Sequence, residues 1–331
     1  MTALHWAAER GYADIAGMLV YAGANLNAGT RIGQYTPLHL ASRAGNAVIV
    51  KTLLDGGANV AARATNSGVT PLHLAASSGN AAVVTMLLDK GADANATESE
   101  WNQTPLIFAA SLNRVDAIRT LLARGANPDL TTKTIDIAQH AALDRAAIER
   151  QKKLIESFTG ADGAATPIQV QAAMQAAREL YRSGKLPPPE KNAEGADDAA
   201  PGTGVANPRN PEEINPPVAF KGGLTALLHA SRQGYLEAVR ALIDGGADVN
   251  GVSAGDETSP LLMAVINGQF DVALYLLERG ADPNLAAAGN GVTPLWAAVN
   301  VQWQPRTRFP QPQEMELQQA TYLDVMKAVL D

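Results

Sequence analysis

Thr36-Pro37-Leu38-His39 opens a stretch that closes on Gly57-Ala58-Asn59, and both marks return along the chain. Thr2-Ala3-Leu4-His5, Thr70-Pro71-Leu72-His73 and Thr104-Pro105-Leu106-Ile107 keep a spacing of 34 residues. Gly23-Ala24-Asn25, Gly91-Ala92-Asp93 and Gly125-Ala126-Asn127 follow in phase. Thr225-Ala226-Leu227, Ser259-Pro260-Leu261 and Thr293-Pro294-Leu295 resume the pattern, with Gly246-Ala247-Asp248 and Gly280-Ala281-Asp282. Thr104 and Thr225 lie 121 residues apart, which is no multiple of 34, so a segment is inserted between them.

Each part of the unit has a local cause. Thr36 suits a helix N-cap, and Pro37 at the first helical position loses nothing by lacking an N–H. The spacing predicts a helix over 37–44 with Leu38, Leu40 and Ala41 inward. Gly45-Asn46 then turns the chain into a second helix over 47–54, carrying Val48, Ile49, Leu53 and Leu54. Gly57 ends it in the left-handed conformation glycine takes without cost. The residues up to Thr70 form an extended, hairpin-like finger. One unit cannot bury its own apolar faces, so the units must stack.

These motifs resemble the ankyrin repeat, whose pattern is a Thr-Pro-Leu-His helix start and a Gly-Ala-Asp stop at a period of ~33. They recur seven times and cover roughly two thirds of the chain. The resemblance implies an all-α solenoid of helix-turn-helix units with short hairpin fingers, interrupted by a helical and Pro-rich insertion. Four repeats are expected in 1–130, a helical insertion in 131–186, a disordered Pro-rich linker in 187–220, and three repeats in 221–331. The alanine-rich composition, the long Pro-rich insertion and Trp6 look like long bacterial ankyrin proteins.

Within the insertion, 134–158 reads as a long helix. Residues 167–182 read as an amphipathic one with Val170, Met174, Ala177 and Tyr181 at spacings 4, 3 and 4, and both are expected to dock on the solenoid. From 187 to 217 there are eight prolines and three glycines, too little apolar surface to offset ordering entropy. The last repeat carries nineteen extra residues, including Trp303, Pro305, Pro310 and Pro312, which read as a loop from the helix turn. Neither end of the sequence has a polar capping repeat, so a fragment of a longer repeat protein is expected.

Composition narrows the function. The 331 residues carry 26 basic and 33 acidic side chains, a net charge of −7 without the strongly basic face of a nucleic-acid binder. The absence of cysteine excludes disulfides, thiolate metal ligands and a cysteine nucleophile, and leaves the compartment undecided. No apolar run reaches the roughly 18–20 residues of a membrane span, and no signal peptide opens the chain. His5, His39 and His73 share one repeat position. Equivalent helices lie about 8–10 Å apart, too far for histidines ~2.0–2.1 Å from one zinc, so they read as structural. His140 and His229 lack an acidic residue at ligand spacing and read as helix-surface or interface residues. No Gly-x-Ser-x-Gly occurs, and Gly202-Thr203-Gly204 lies in coil. Glu98, Glu100, Asp256 and Glu257 read as solvated carboxylates on finger tips. No catalytic residue, metal or cofactor is expected.

The ankyrin resemblance places recognition on finger tips and the concave inner-helix face. The tips are Arg31, Ile32, Gln34 and Tyr35; Arg63, Thr65, Asn66 and Ser67; and Glu98, Glu100, Trp101, Asn102 and Gln103. Arg43 joins them from the inner helices, with Glu9, Arg10, Ala44, Ser77, Ser78 and Leu112. Trp101 and Tyr35 lead, as aromatic anchors. Trp6 takes the slot of Leu40, Leu74 and Phe108 and reads as core; Trp296 takes the histidine slot and reads as structural. The expected function is a monomeric scaffold for another protein, with no nucleic acid and no membrane span. Two alternatives stay open: a structural or sensory segment of a larger protein, and, last, an enzyme with a site at the insertion.

Overall fold

The computed structural model describes residues 1–65, 67–158, 165–187, 220–288, 290–303 and 318–330. The chain divides into two compact units, Met1–Thr134 with Gly222–Asp331, and Ile135–Lys221.

The first unit is a solenoid. Its helix pairs are α1 (Ala3–Arg10) and α2 (Ala13–Tyr21), α3 (Pro37–Arg43) and α4 (Ala47–Asp55), α5 (Pro71–Ser78) and α6 (Ala81–Asp89), and α7 (Pro105–Ser111) and α8 (Val115–Ala123). They continue as α11 (Ala226–Gln233) and α12 (Leu236–Asp244), α13 (Pro260–Ile266) and α14 (Phe270–Glu278), and α15 (Pro294–Trp303) and α16 (Tyr322–Leu330). Odd-numbered helices form an inner row and even-numbered ones an outer row, each packing on its neighbour. Leu4, Leu38, Leu72, Leu106, Leu227 and Leu261 are all buried at the same repeat position, so one apolar seam runs through the stack. Val48, expected inward, is exposed on α4 beside buried Ile49.

The histidines explain how neighbouring units are tied. His39 Nδ1 accepts the Thr36 N–H at 3.1 Å, in place of the acidic side chain of a usual capping box. The ring proton therefore sits on Nε2, which donates to the Val69 carbonyl of the next finger at 3.1 Å. His5 does the same to Tyr35 at 2.9 Å and His73 to Gln103 at 3.0 Å. Where Ile107, Leu228 and Leu262 replace histidine, the N-cap hydroxyl instead accepts the N–H of that residue. Gly57 adopts φ 89°, the left-handed stop expected of it.

The insertion leaves the solenoid through a finger tip. Fingers one to three close through Thr30 N–H to Tyr35 at 2.9 Å, Ala64 to Val69 at 2.9 Å, and Glu98 to Gln103 at 3.1 Å. The fourth closes in the same way, Thr132 N–H to the Leu224 carbonyl at 3.0 Å, across the insertion. The inserted residues 133–223 thus begin and end in the chain at the tip position that residues 31–34 fill in the first finger, and α7 packs on α11 as α5 packs on α7. Replacing 133–223 with the sequence of the second tip, residues 65–68, is expected to leave the solenoid folded. Its stability should stay within about 1 kcal/mol in a circular-dichroism melt, because each repeat touches only its neighbours. A non-cooperative or aggregated product would refute this placement.

The second unit, Ile135–Lys221, holds two helices among its described residues, and a two-stranded pair lies at its chain ends. Residues 134–136 do not start the long helix as expected. Thr134–Asp136 is strand β1 paired with β2 (Phe220–Gly222), favoured by β-branched Thr134 and Ile135. The helix α9 runs Ile137–Phe158, its start capped by Asp136 Oδ1 at 2.9 Å from the Gln139 N–H. The second helix, α10 (Pro167–Ser183), starts on a Thr166/Gln169 capping box. The two lie antiparallel, with His140 of α9 bonded to the Tyr181 hydroxyl of α10. Leu143, Ala147, Ala173, Ala177 and Leu180 are buried in this unit. A valley of about 270 Å³ runs along the pair, lined by Asp144, Ala147, Ile148 and Gln151 of α9 and by Met174, Ala177, Arg178 and Tyr181 of α10. Nearly all of the expected disordered linker, and Pro305, Pro310 and Pro312 of the last repeat, lie outside the described residues.

Candidate functional site

The finger tips are held by backbone. Thr65 N–H donates to Gly33 of the preceding finger at 3.0 Å, Ser99 to Ser67 at 2.7 Å, and Lys133 to Trp101 at 2.8 Å. On this frame the expected recognition residues divide by what their side chains already do.

Arg31, Ile32, Glu100 and Trp101 are exposed, Ile32 at 71% and Trp101 at 44%. A large apolar side chain in water on a rigid frame is what a partner can use. Arg43 is exposed but ion-paired with Glu9 at 2.7 Å. Arg63 is exposed and engaged in joining fingers, donating to Gly68 at 3.3 Å and Thr97 at 2.9 Å. Asn66 lies outside the described residues. Tyr35 is half-buried, edge-on to His39 with ring centroids 5.5 Å apart. Gln103 is half-buried and gives its carbonyl to His73.

Glu98 is not the solvated carboxylate expected of a tip. It is buried, and its oxygens accept the N–H groups of Glu100 at 2.7 Å, Trp101 at 2.6 Å and Gln103 at 3.0 Å. Thr30, Thr132 and Ser253 serve the same closing position, accepting the N–H of Tyr35, Leu224 and Thr258. The sequence signal for this slot is a side-chain acceptor at the repeat spacing, at Thr30, Glu98 and Thr132, interrupted by Ala64.

Four further expectations are corrected. Trp6 is 49% exposed with Arg10 over its ring at 5.7 Å, because α1 packs on α3 alone in the inner row. Trp296 is 53% exposed in α15, although its position is buried in every other repeat. His229 is buried, not on the surface: it fills the slot of Leu40 and Phe108. His140 does have an acidic neighbour, Asp144 one turn on, at 3.5 Å from Nδ1.

Burial sets the charge state of the solenoid histidines. Desolvation pushes His73 and His229 down to about 4, against 6.5 ordinarily, and lowers His5 and His39 as well. All four rings are therefore neutral at pH 7. Tyr181 is shifted upward, mainly by desolvation and further by Asp144, which keeps its proton in place as a donor.

Comparison with known families fits this geometry. A model described as "Ankyrin repeats (3 copies)" matches residues 4–98 and 205–287, and one described as "Ankyrin repeats (many copies)" matches residues 82–122. The chain belongs to the ankyrin repeat family. Ankyrin repeats generally mediate protein–protein interaction, and proteins built from them are generally non-enzymatic binding scaffolds. No curated protein matches the chain. Among solved structures it is similar to the ankyrin repeat domain of Bcl-3, described as a unique member of the IkappaB protein family. That likeness has 22% identity and a TM-score of 0.55, over 90% of this chain and 93% of the other, and bears on the fold alone. No described helix of this ankyrin repeat chain is long and apolar enough to cross a membrane.

Proposed function

We propose that the solenoid is a scaffold that binds another protein through its finger tips, with Ile32 and Trp101 as apolar anchors and Arg31 and Glu100 as the polar rim. The repeats of 1–130 and 221–331 supply one continuous array in this reading, and the inner-helix ends around Arg43 border the same side. The observation that carries it is the exposure of Ile32 and Trp101 on fingers whose backbones are bonded to each other. A side chain held out from a rigid support loses little entropy on binding, so its burial counts nearly in full. Tyr35, Arg63, Glu98 and Gln103 support the tips from behind, and the same face needs them for its shape.

The test compares proteins retained from the source organism by the wild-type chain with those retained by an Ile32→Ala/Trp101→Ala double variant. Val48→Ala, exposed on an outer helix, is the control. One lost anchor of about 2 kcal/mol already predicts a drop of roughly 30-fold in affinity for the true partner, and two of them together up to about several hundred-fold. The melting temperature and the Val48→Ala profile should stay unchanged. Equal retention by the double variant would reject this face.

A further inference from the structure

The valley of the second unit has the form of a seat for a third helix. Each wall is one strip of helix face at spacing i, i+3, i+4, i+7. Its floor is made by Ala147 and Ala177, both buried, and small floor residues let another helix approach closely. Its walls carry Ile148, 66% exposed, and Met174, 40% exposed, which the two-helix pair leaves uncovered.

The charges choose among occupants. Arg178 lines the valley with no ion-pair partner among the described residues, whereas Asp144, in the same lining, lies 3.5 Å from His140. A second copy of this chain would bring Asp144 and Arg178 together rather than an unopposed carboxylate, and the test below separates it from a partner helix. A membrane surface offers no ridge to enter a concave valley. We propose that the α9–α10 valley binds one amphipathic helix of a partner protein, with large apolar side chains seated on Ala147 and Ala177 and an acidic residue against Arg178. This surface is separate from the finger tips and does not depend on the reading given for them.

The test uses the full chain and a synthetic eighteen-residue helical peptide with leucines at i, i+3, i+4 and i+7 flanked by glutamates, beside a version with lysines for the glutamates. Fluorescence anisotropy should show saturable binding of the glutamate peptide and much weaker binding of the lysine peptide. Ile148→Glu, at a position too exposed to threaten the fold, should weaken binding at least about tenfold, and Arg178→Glu should invert the preference to the lysine peptide. The Ile32→Ala/Trp101→Ala variant should bind the peptide as wild type does. The proposal is overturned by absence of saturable binding, or by binding indifferent to both valley substitutions. It is equally overturned by a dimer that Ile148→Glu dissociates, or by anionic vesicles whose binding depends on the same two residues.

Discussion

Lowering the pH from 7 to 4 is expected to unfold the solenoid. His73 and His229 are buried as neutral rings with folded values of about 4, while in the unfolded chain they return toward 6.5. Between those values the unfolded chain holds the extra protons, so stability falls as pH falls through that window and levels off near 4. Each of the two contributes on the order of 3 kcal/mol to the loss. His5 and His39, shifted in the same direction, add to it. The sum is comparable with the total stability of about 5–15 kcal/mol of an ordinary domain. Urea melts at pH 7, 6, 5 and 4 would measure it. A midpoint that holds constant to pH 4 would mean that the rings are already solvated or charged in the folded state.

Replacing His229 with leucine should raise the stability of the protein and flatten that acid response. Neither nitrogen of the His229 ring has a hydrogen-bond partner among the described residues, and the nearby Ser231 hydroxyl is likewise buried without one. A buried, unsatisfied polar group costs about 1–3 kcal/mol. The same position holds Leu40, Leu74 and Phe108 in earlier repeats, so an apolar side chain of this size fits the local packing. His229→Leu is thus expected to gain about 1–3 kcal/mol at pH 7 and more at pH 5, where the wild-type ring is penalised. Ser231→Ala, matching Ala8, Ala76 and Ala110 in its column, should add a smaller gain. A lower melting temperature for His229→Leu would show that the ring is satisfied in solution. His73 is the contrast: its nitrogens cap α5 and hold the next finger, so the same replacement there should destabilise.

Most of the solenoid was readable because repetition multiplies weak local signals. A Thr-Pro pair or a Gly-Ala-Asp alone predicts little, but at a fixed 34-residue spacing they place helix starts and stops close to where they occur. The structural role of His5, His39 and His73 followed from the same regularity. What repetition could not give is how far each column is covered. Trp6 belongs to a column that is largely covered elsewhere, yet its own exposure depends on which helices stand beside it. Glu98 looked like any acidic tip residue because its three N–H donors come together only when the finger closes. The exit of the insertion was legible in principle. Thr132 lies 34 residues after Glu98, and Leu224 immediately precedes the cap Thr225, but 91 residues without the repeat separate these two halves of one finger in the chain.

The finger through which residues 133–223 depart keeps its closing hydrogen bond and its place in the stack. A hairpin end that accommodates so large an excursion acts as a socket: a segment entering there leaves the stacking of the repeats on either side unchanged. The other tips share the same closure, at Ala64–Val69 and Ser253–Thr258 for example. They should therefore accept foreign modules as readily, letting one chain display several unrelated attachments at fixed intervals.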